Sequence, residues 1–162
     1  TSPSNYSRSK FGSGWADEDR DCQDSRQEAL IAHSTAPVRF NTGHQCKVAS
    51  GRWISPFTNM VIHDPRKIDI DHVVPLKWAW EHGANSWSQS KRERFSNDPS
   101  NLLAVEANLN RQKGAKGPEE WMPPVGRCGY LSRFKRIAKK YNLKLNYTEQ
   151  VEFKEIEGRV CR

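Results

Sequence analysis

The chain has 162 residues, with 26 Lys and Arg against 19 Asp and Glu, a formal charge of +7 and a mean hydropathy of −0.88. This length suits one domain with a core large enough to fold without a structural metal, and six tryptophans argue against intrinsic disorder. No apolar run approaches the roughly 18–20 residues of a membrane span, so the expectation is a soluble monomer with no membrane contact, whose charge favours a polyanionic partner and nucleic acid first.

Residues 1–14 (TSPSNYSRSKFGSG) hold five serines, two glycines and a proline. With the next two residues they read as a flexible lead, 1–16, ordered only where Tyr6, Phe11 or Trp15 dock. The domain proper is then 17–162. An acidic stretch over 17–24 precedes a helix over 25–33 that Asp24 or Ser25 would cap. Residues 45–54, with 59–63, suggest a short hairpin passing through Pro56. Residues 68–75 (IDIDHVVP) alternate as a strand does and break at Pro75. A helix over 76–82 ends before Gly83, and a second, strongly charged helix covers 88–95. The stretch NDPSNLLAVEANLNRQKG reads as a turn, an apolar strand over 102–105 and a helix that Gly114 terminates. Leu131, Phe134, Ile137, Ala138 and Tyr141 then recur at helical spacing, with Arg133, Lys135, Arg136, Lys139 and Lys140 between them, which makes an amphipathic basic helix. All of the +7 lies after residue 110.

Cys22, Cys46, Cys128 and Cys161 contain no C-x-x-C pair, which disfavours a zinc cage. Four cysteines allow three pairings. Cys22 with Cys46 and Cys128 with Cys161 close the shorter loops, each worth on the order of 3 kcal/mol in the chain-entropy model; four reduced core thiols are the competing reading. An even count, and a first residue Thr1 rather than Met, fit a secreted or periplasmic protein.

The densest candidate for chemistry is Asp69-x-Asp71-His72-x-x-Pro75. Neighbours in a strand point to opposite faces, so Asp71 and His72 serve one site only if the strand ends or bends there. Asn101, Asn110, Arg111 and Lys113 follow on the next strand-and-helix unit. His33, His44, His63 and His82 read as surface or capping residues, Trp53, Trp78, Trp80, Trp87 and Trp121 as core or loop anchors, and Glu93, Glu106 and Glu119 as solvated.

Asp69-Ile-Asp71-His72-Val-Val-Pro75-Leu76, with Asn101-Leu-Leu-Ala-Val105 through Asn110-Arg-Gln-Lys113-Gly114, resembles the D-x-D-H-x-V-P-L and N-L-x-A-V…N-x-x-K-G blocks of HNH endonucleases. These belong to the ββα-metal (His-Me finger) superfamily, and the chain is similar in particular to secreted bacterial HNH nucleases related to the GmrSD-type family. Gly51-Arg-Trp53-x-x-Pro56 and Gly117-Pro-Glu-Glu-Trp121-Met-Pro-Pro124 carry the likeness over 20–125. The resemblance implies an α+β fold: a ββα-metal (HNH) core with surrounding helices and a short β-hairpin. It also implies His72 as general base, Asp71 and Asn110 as metal ligands and Asn101 as a brace for the loop that orients His72. Lys113 would lie near the scissile phosphate and Asp69 behind the ligands. Asn110 stands where the motif is named for a histidine. Products would carry 5′-phosphate and 3′-hydroxyl ends.

Chemistry agrees with those roles. Charge building on a phosphodiester in cleavage is offset by a hard cation on oxygen ligands, which favours Mg2+, with Mn2+ or Ca2+ as alternatives. A neutral histidine can take a proton from water. The expectation is therefore a secreted, Mg2+-dependent endonuclease of low sequence specificity, a hydrolase acting on double-stranded DNA with RNA left open. Arg111, Arg133, Lys135, Arg136, Lys139 and Lys140 would bind the nucleic acid. The alternatives are a toxin or restriction-type domain working with a partner protein, and a catalytically silent nucleic-acid-binding module.

Overall fold

The computed structural model describes residues 5–162, and the first four residues of the lead fall outside them. Helix α1 (Ser25–His33) starts where the Asp24 carboxylate accepts the Gln27 amide at 2.9 Å, filling one of the orphan donors of a first turn. Two short ribbons follow. Strand β1 (Arg39–Phe40), which the sequence reading did not anticipate, pairs antiparallel with β2 (Val48–Ser50), and β3 (Trp53–Ile54) pairs with β4 (Val61–Ile62) across the expected Pro56 turn. The pairing that organises the domain is β5 (Ile68–His72) with the later β6 (Leu102–Glu106), five residues against five.

Between them lie α2 (Leu76–Glu81), which begins directly after Pro75, and α3 (Gln89–Ser96), which the Ser88 hydroxyl caps by accepting the Lys91 amide. Proline fixes φ and lacks an N–H, so it suits the entry to a helix; the strand itself stops at His72, short of the expected 68–75. Helix α4 (Ala107–Lys113) leaves β6 without a connecting loop and stops at Gly114, whose φ of +54° a residue with a Cβ adopts less readily. Helices α5 (Arg127–Lys140) and α6 (Tyr147–Val160) complete an α+β domain. Helix α6 was not expected from the sequence, although its signal is there: Asn146 and Glu149 form a reciprocal capping box, and Phe153, Ile156 and Val160 share one face.

The parity of the β5–β6 ladder sorts the core. Ile68 and Ile70 on β5, with Leu102 and Ala104 on β6, face Leu30 of α1 and Trp53. Leu103 and Val105 face the opposite way, into a larger cluster with Trp78, Trp80, Phe95, Leu131 and Phe134. Phe134 is wholly buried, edge-on to both Trp78 and Phe153, so truncation to Ala would cost about 3–5 kcal/mol. Both disulfides form, Cys22–Cys46 and Cys128–Cys161, the second tying the start of α5 to the end of α6. In the lead, Phe11 is fully buried against Trp80 and Phe95, Tyr6 packs edge-on to Trp80, and Trp15 stacks on His72. Burying one Phe contributes roughly 1.5–3 kcal/mol toward holding this segment on the domain, and Tyr6 and Trp15 add to it.

Candidate active site

Strand β5 ends at His72, and the way it ends brings two neighbouring side chains to one place. Asp71 lies opposite Leu103 and His72 opposite Leu102, so they face opposite sides of the ladder. Past His72 the backbone leaves the ladder and is captured by Asn101. The Asn101 carbonyl accepts the Val73 amide at 2.9 Å, its side-chain oxygen accepts the Val74 amide at 2.8 Å, and its side-chain NH2 donates to the Val74 carbonyl at 3.1 Å. Asn101 thus replaces a strand partner for two residues, Val73 through its backbone carbonyl and Val74 through its side-chain amide, and it is fully buried. At this strand end, Asp71 and His72 line one cleft of about 340 Å³, together with Asn110, Gly114, Arg8 and Lys77.

His72 is fixed from two directions. Its Nε2 lies 2.8 Å from the Ser96 carbonyl, and a carbonyl only accepts, so Nε2 carries the proton and the neutral ring leaves Nδ1 as its base. Nδ1 has no hydrogen-bond partner among the described residues. Trp15 stacks on the ring with centroids 5.1 Å apart and planes 16° from parallel. Burial pulls the His72 pKa down to about 4; the Ser96 carbonyl opposes this, while the charges of Arg8 and Lys113 add to it. The ring is neutral at pH 7, the form able to accept a proton.

Asp71 is 5% exposed, and both of its oxygens accept from Lys113 Nζ, at 2.8 and 2.9 Å. Lys113 itself has no exposed surface. Its ammonium also donates to the carbonyls of His72, at 2.7 Å, and Val73, at 3.0 Å. Burial raises the Asp71 carboxyl and lowers the Lys113 ammonium, and each charge partly offsets the effect on the other. The expectation that Lys113 lies near the scissile phosphate therefore meets a different arrangement. It does not line the cleft, and it clamps the end of α4 to the end of β5. Asp69, two residues back on the same face, accepts from Asn110 Nδ2 at 3.0 Å and lies 3.7 Å from Arg111 Nε. With Nδ2 so engaged, Asn110 Oδ1 is left without a partner among the described residues.

The donor set suits a hard cation. Asn110 offers a free carbonyl oxygen on the cleft, Asp71 keeps lone pairs beyond those taken by Lys113, and no sulfur lies near, which fits Mg2+ better than zinc. Asp71 carries one compensating charge already, so an ion there would draw much of its binding from the substrate phosphate.

Helix α5 contributes less free charge than its sequence suggests. Lys135 pairs with Glu157 at 2.6 Å, Lys140 with Asp98 at 2.7 Å, and Arg133 donates to the Ser100 carbonyl. Arg136 and Lys139 have no such partner among the described residues, and none of the five lines the cleft. Nor is Glu106 solvated as read from the sequence: it accepts the hydroxyls of Ser55 and Thr58, fixing the β3–β4 turn to the end of β6. Glu119 is half-buried, and one of its oxygens lacks a partner. Sequence reasoning missed Arg8 and Trp15 as neighbours of His72; the signal in the lead was its three aromatics, Tyr6, Phe11 and Trp15, which marked where it docks but not against what. A larger groove of about 940 Å³, lined by Met60, Val61, Leu109 and Arg66, lies across α4 from the cleft. The exposed Asp17, Asp19, Asp21 and Glu28 place oxygens within 4.8 Å of one another.

Two antiparallel strands lead into a helix, and a carboxylate, a histidine and an amide residue line one cleft; the family match makes this a nuclease-related α+β domain. The chain belongs to the family of GmrSD restriction endonucleases, C-terminal domain, whose model matches residues 19–155. It is 37% identical over 149 residues, 90% of this chain and 71% of the other, to an uncharacterized secreted protein of Arthroderma benhamiae. No solved structure matches it.

Proposed function

We propose that this protein is a secreted, metal-dependent endonuclease that hydrolyses phosphodiester bonds of DNA, and that β5, β6 and α4 form a ββα-metal core. The observation that carries the reading is His72. A neutral imidazole, its proton committed to the Ser96 carbonyl, leaves Nδ1 without a partner among the described residues, and His72 lines the cleft together with Asp71 and Asn110. In this reading Nδ1 takes the proton of the attacking water, and the Ser96 carbonyl and the Trp15 stack hold the ring through the transfer. Asp71 and Asn110 would hold Mg2+, which when bound offsets charge on the phosphoryl and departing 3′ oxygens. Asn101 keeps the strand end shaped so that Asp71 and His72 converge, and Lys113 keeps Asp71 oriented. The two disulfides and the secreted relative support an extracellular setting.

Plasmid nicking with Mg2+ or with EDTA, by wild type and by His72→Ala, tests the proposal. Nicking by wild type in Mg2+ alone, with the variant slower by about 100-fold or more, is the expected outcome. Equal cleavage by the two proteins would sink the mechanism. Duplex binding without cleavage by wild type would favour a silent binding module.

A further inference from the structure

The fully buried position of Lys113 leaves the cleft without the cation that its motif position implies, and the cations around it are unequal. Arg111 lies beside Asp69. Arg92 spends its guanidinium on the carbonyls of Lys10, Ala84 and Trp87. Arg8 and Lys77 line the cleft beside Asp71, His72 and Asn110, and neither has a hydrogen-bond or ion-pair partner among the described residues. Arg8 is the one of the two whose charge is felt at the His72 ring.

Arg8 also sits on a built support. It opens the turn Arg8–Phe11, which is pinned by the buried Phe11, by Tyr6 against Trp80, and by Arg92 donating to the Lys10 carbonyl at 2.8 Å. A side chain on such a base loses less freedom on binding than one on a free tail. Its planar fork can meet two oxygens of one phosphate, which a lysine ammonium cannot do with the same geometry.

We propose that Arg8, delivered by the N-terminal segment, is the cation that contacts the scissile phosphate. It thereby takes the task for which Lys113 is not placed and makes the segment a wall of the active site. This rests on the nuclease reading above. Because the Arg8 side chain is exposed and the anchoring is done by Phe11 and Tyr6, its removal leaves the packing intact.

The test measures steady-state cleavage of a short DNA duplex in Mg2+ by wild type, Arg8→Ala, Arg8→Lys and Lys77→Ala, with melting midpoints and duplex affinity in EDTA alongside. The expected result for Arg8→Ala is a kcat lower by roughly 100-fold, with an unchanged melting midpoint and an affinity within a few-fold of wild type. Arg8→Lys recovers part of the loss, and added guanidinium ion accelerates Arg8→Ala, a rescue that a purely structural role would not permit. Lys77→Ala, which removes the other cation of the same cleft, lowers kcat clearly less than Arg8→Ala does. An active wild type with Arg8→Ala turning over within about threefold of it overturns the assignment alone. A wild type that cuts no nucleic acid overturns the nuclease reading and this assignment with it.

Discussion

Replacing Lys113 with Met separates two readings of the same residue. Met removes the charge and keeps most of the volume, so the effect reports the ammonium and not a cavity. Nζ serves both Asp71 oxygens and the carbonyls of His72 and Val73, four acceptors between 2.7 and 3.0 Å, with no exposed surface. Without it, Asp71 is a carboxylate at 5% exposure lacking its cation, and the His72 carbonyl loses the Lys113 donor. The Val73 carbonyl keeps only the Tyr130 hydroxyl at 3.5 Å. Breaking a buried pair from one side costs about 3–5 kcal/mol, which for a domain of this size lowers the melting midpoint by roughly 10 °C. Calorimetry of Lys113→Met, Asp71→Asn and the double variant at pH 7 completes the cycle. The double variant should cost clearly less than the sum of the singles, because neutralising Asp71 removes the orphaned charge. A lysine that reached out to phosphate would behave otherwise: Lys113→Met would melt within a degree or two of wild type and would instead lower the salt slope of DNA binding by about one. That result would refute the clamp.

Three further outcomes follow from the same geometry. Burial alone would raise Asp98, but donors from Lys140, Tyr141 and Ser100 outweigh it and hold the pKa down at about 2. A depressed folded pKa gives stability that is present above the unfolded value of 3.8 and is lost as the pH falls through about 2. Asp98→Asn should therefore lose about 2 kcal/mol in denaturant titrations at pH 7 and little below pH 2; an equal loss at both would show that the pairing is not the cause. The two disulfides span 24 and 33 residues, so each Cys→Ser pair should cost about 3.5 kcal/mol of unfolding free energy, and alkylation without reductant should modify no cysteine. If duplex lies along α5, Arg136→Gln with Lys139→Gln should reduce the slope of log affinity against log salt by about two; an unchanged slope would place the duplex elsewhere.

Much of the molecule is written locally. The caps Asp24 and Ser88, the helix entry at Pro75, the break at Gly114 and the apolar stripe of α5 each act within a turn or two of chain, so the bounds of α1, β5, α2, α3, α4 and α5 were legible to within a few residues. Helix α6 was legible in principle, since its Asn146–Glu149 capping box is a four-residue signal. Strand β1 was harder, because a two-residue strand has no period to read and exists through its partner. The shorter-loop argument gave the cysteine pairing that forms.

The site divides in the same way. The sequence by itself determined which residue types meet: Asp71 and His72 are adjacent, and the Asn101 and Asn110 blocks follow at a spacing that a hairpin and helix convert into proximity. Tertiary structure alone decided what each of them faces. Whether Lys113 reaches solvent or Asp71 depends on how α4 lies on β5 across 42 residues of chain. Whether Arg133, Lys135 and Lys140 of α5 are free depends on Ser100, Glu157 and Asp98 arriving from elsewhere, and that Arg8 and Trp15 come near His72 depends on Phe11 finding its place against Trp80 and Phe95. Caps and strand breaks are set by neighbours along the chain; the partner of a charge is set by which surfaces dock, and docking is driven by apolar area that has no memory of sequence distance.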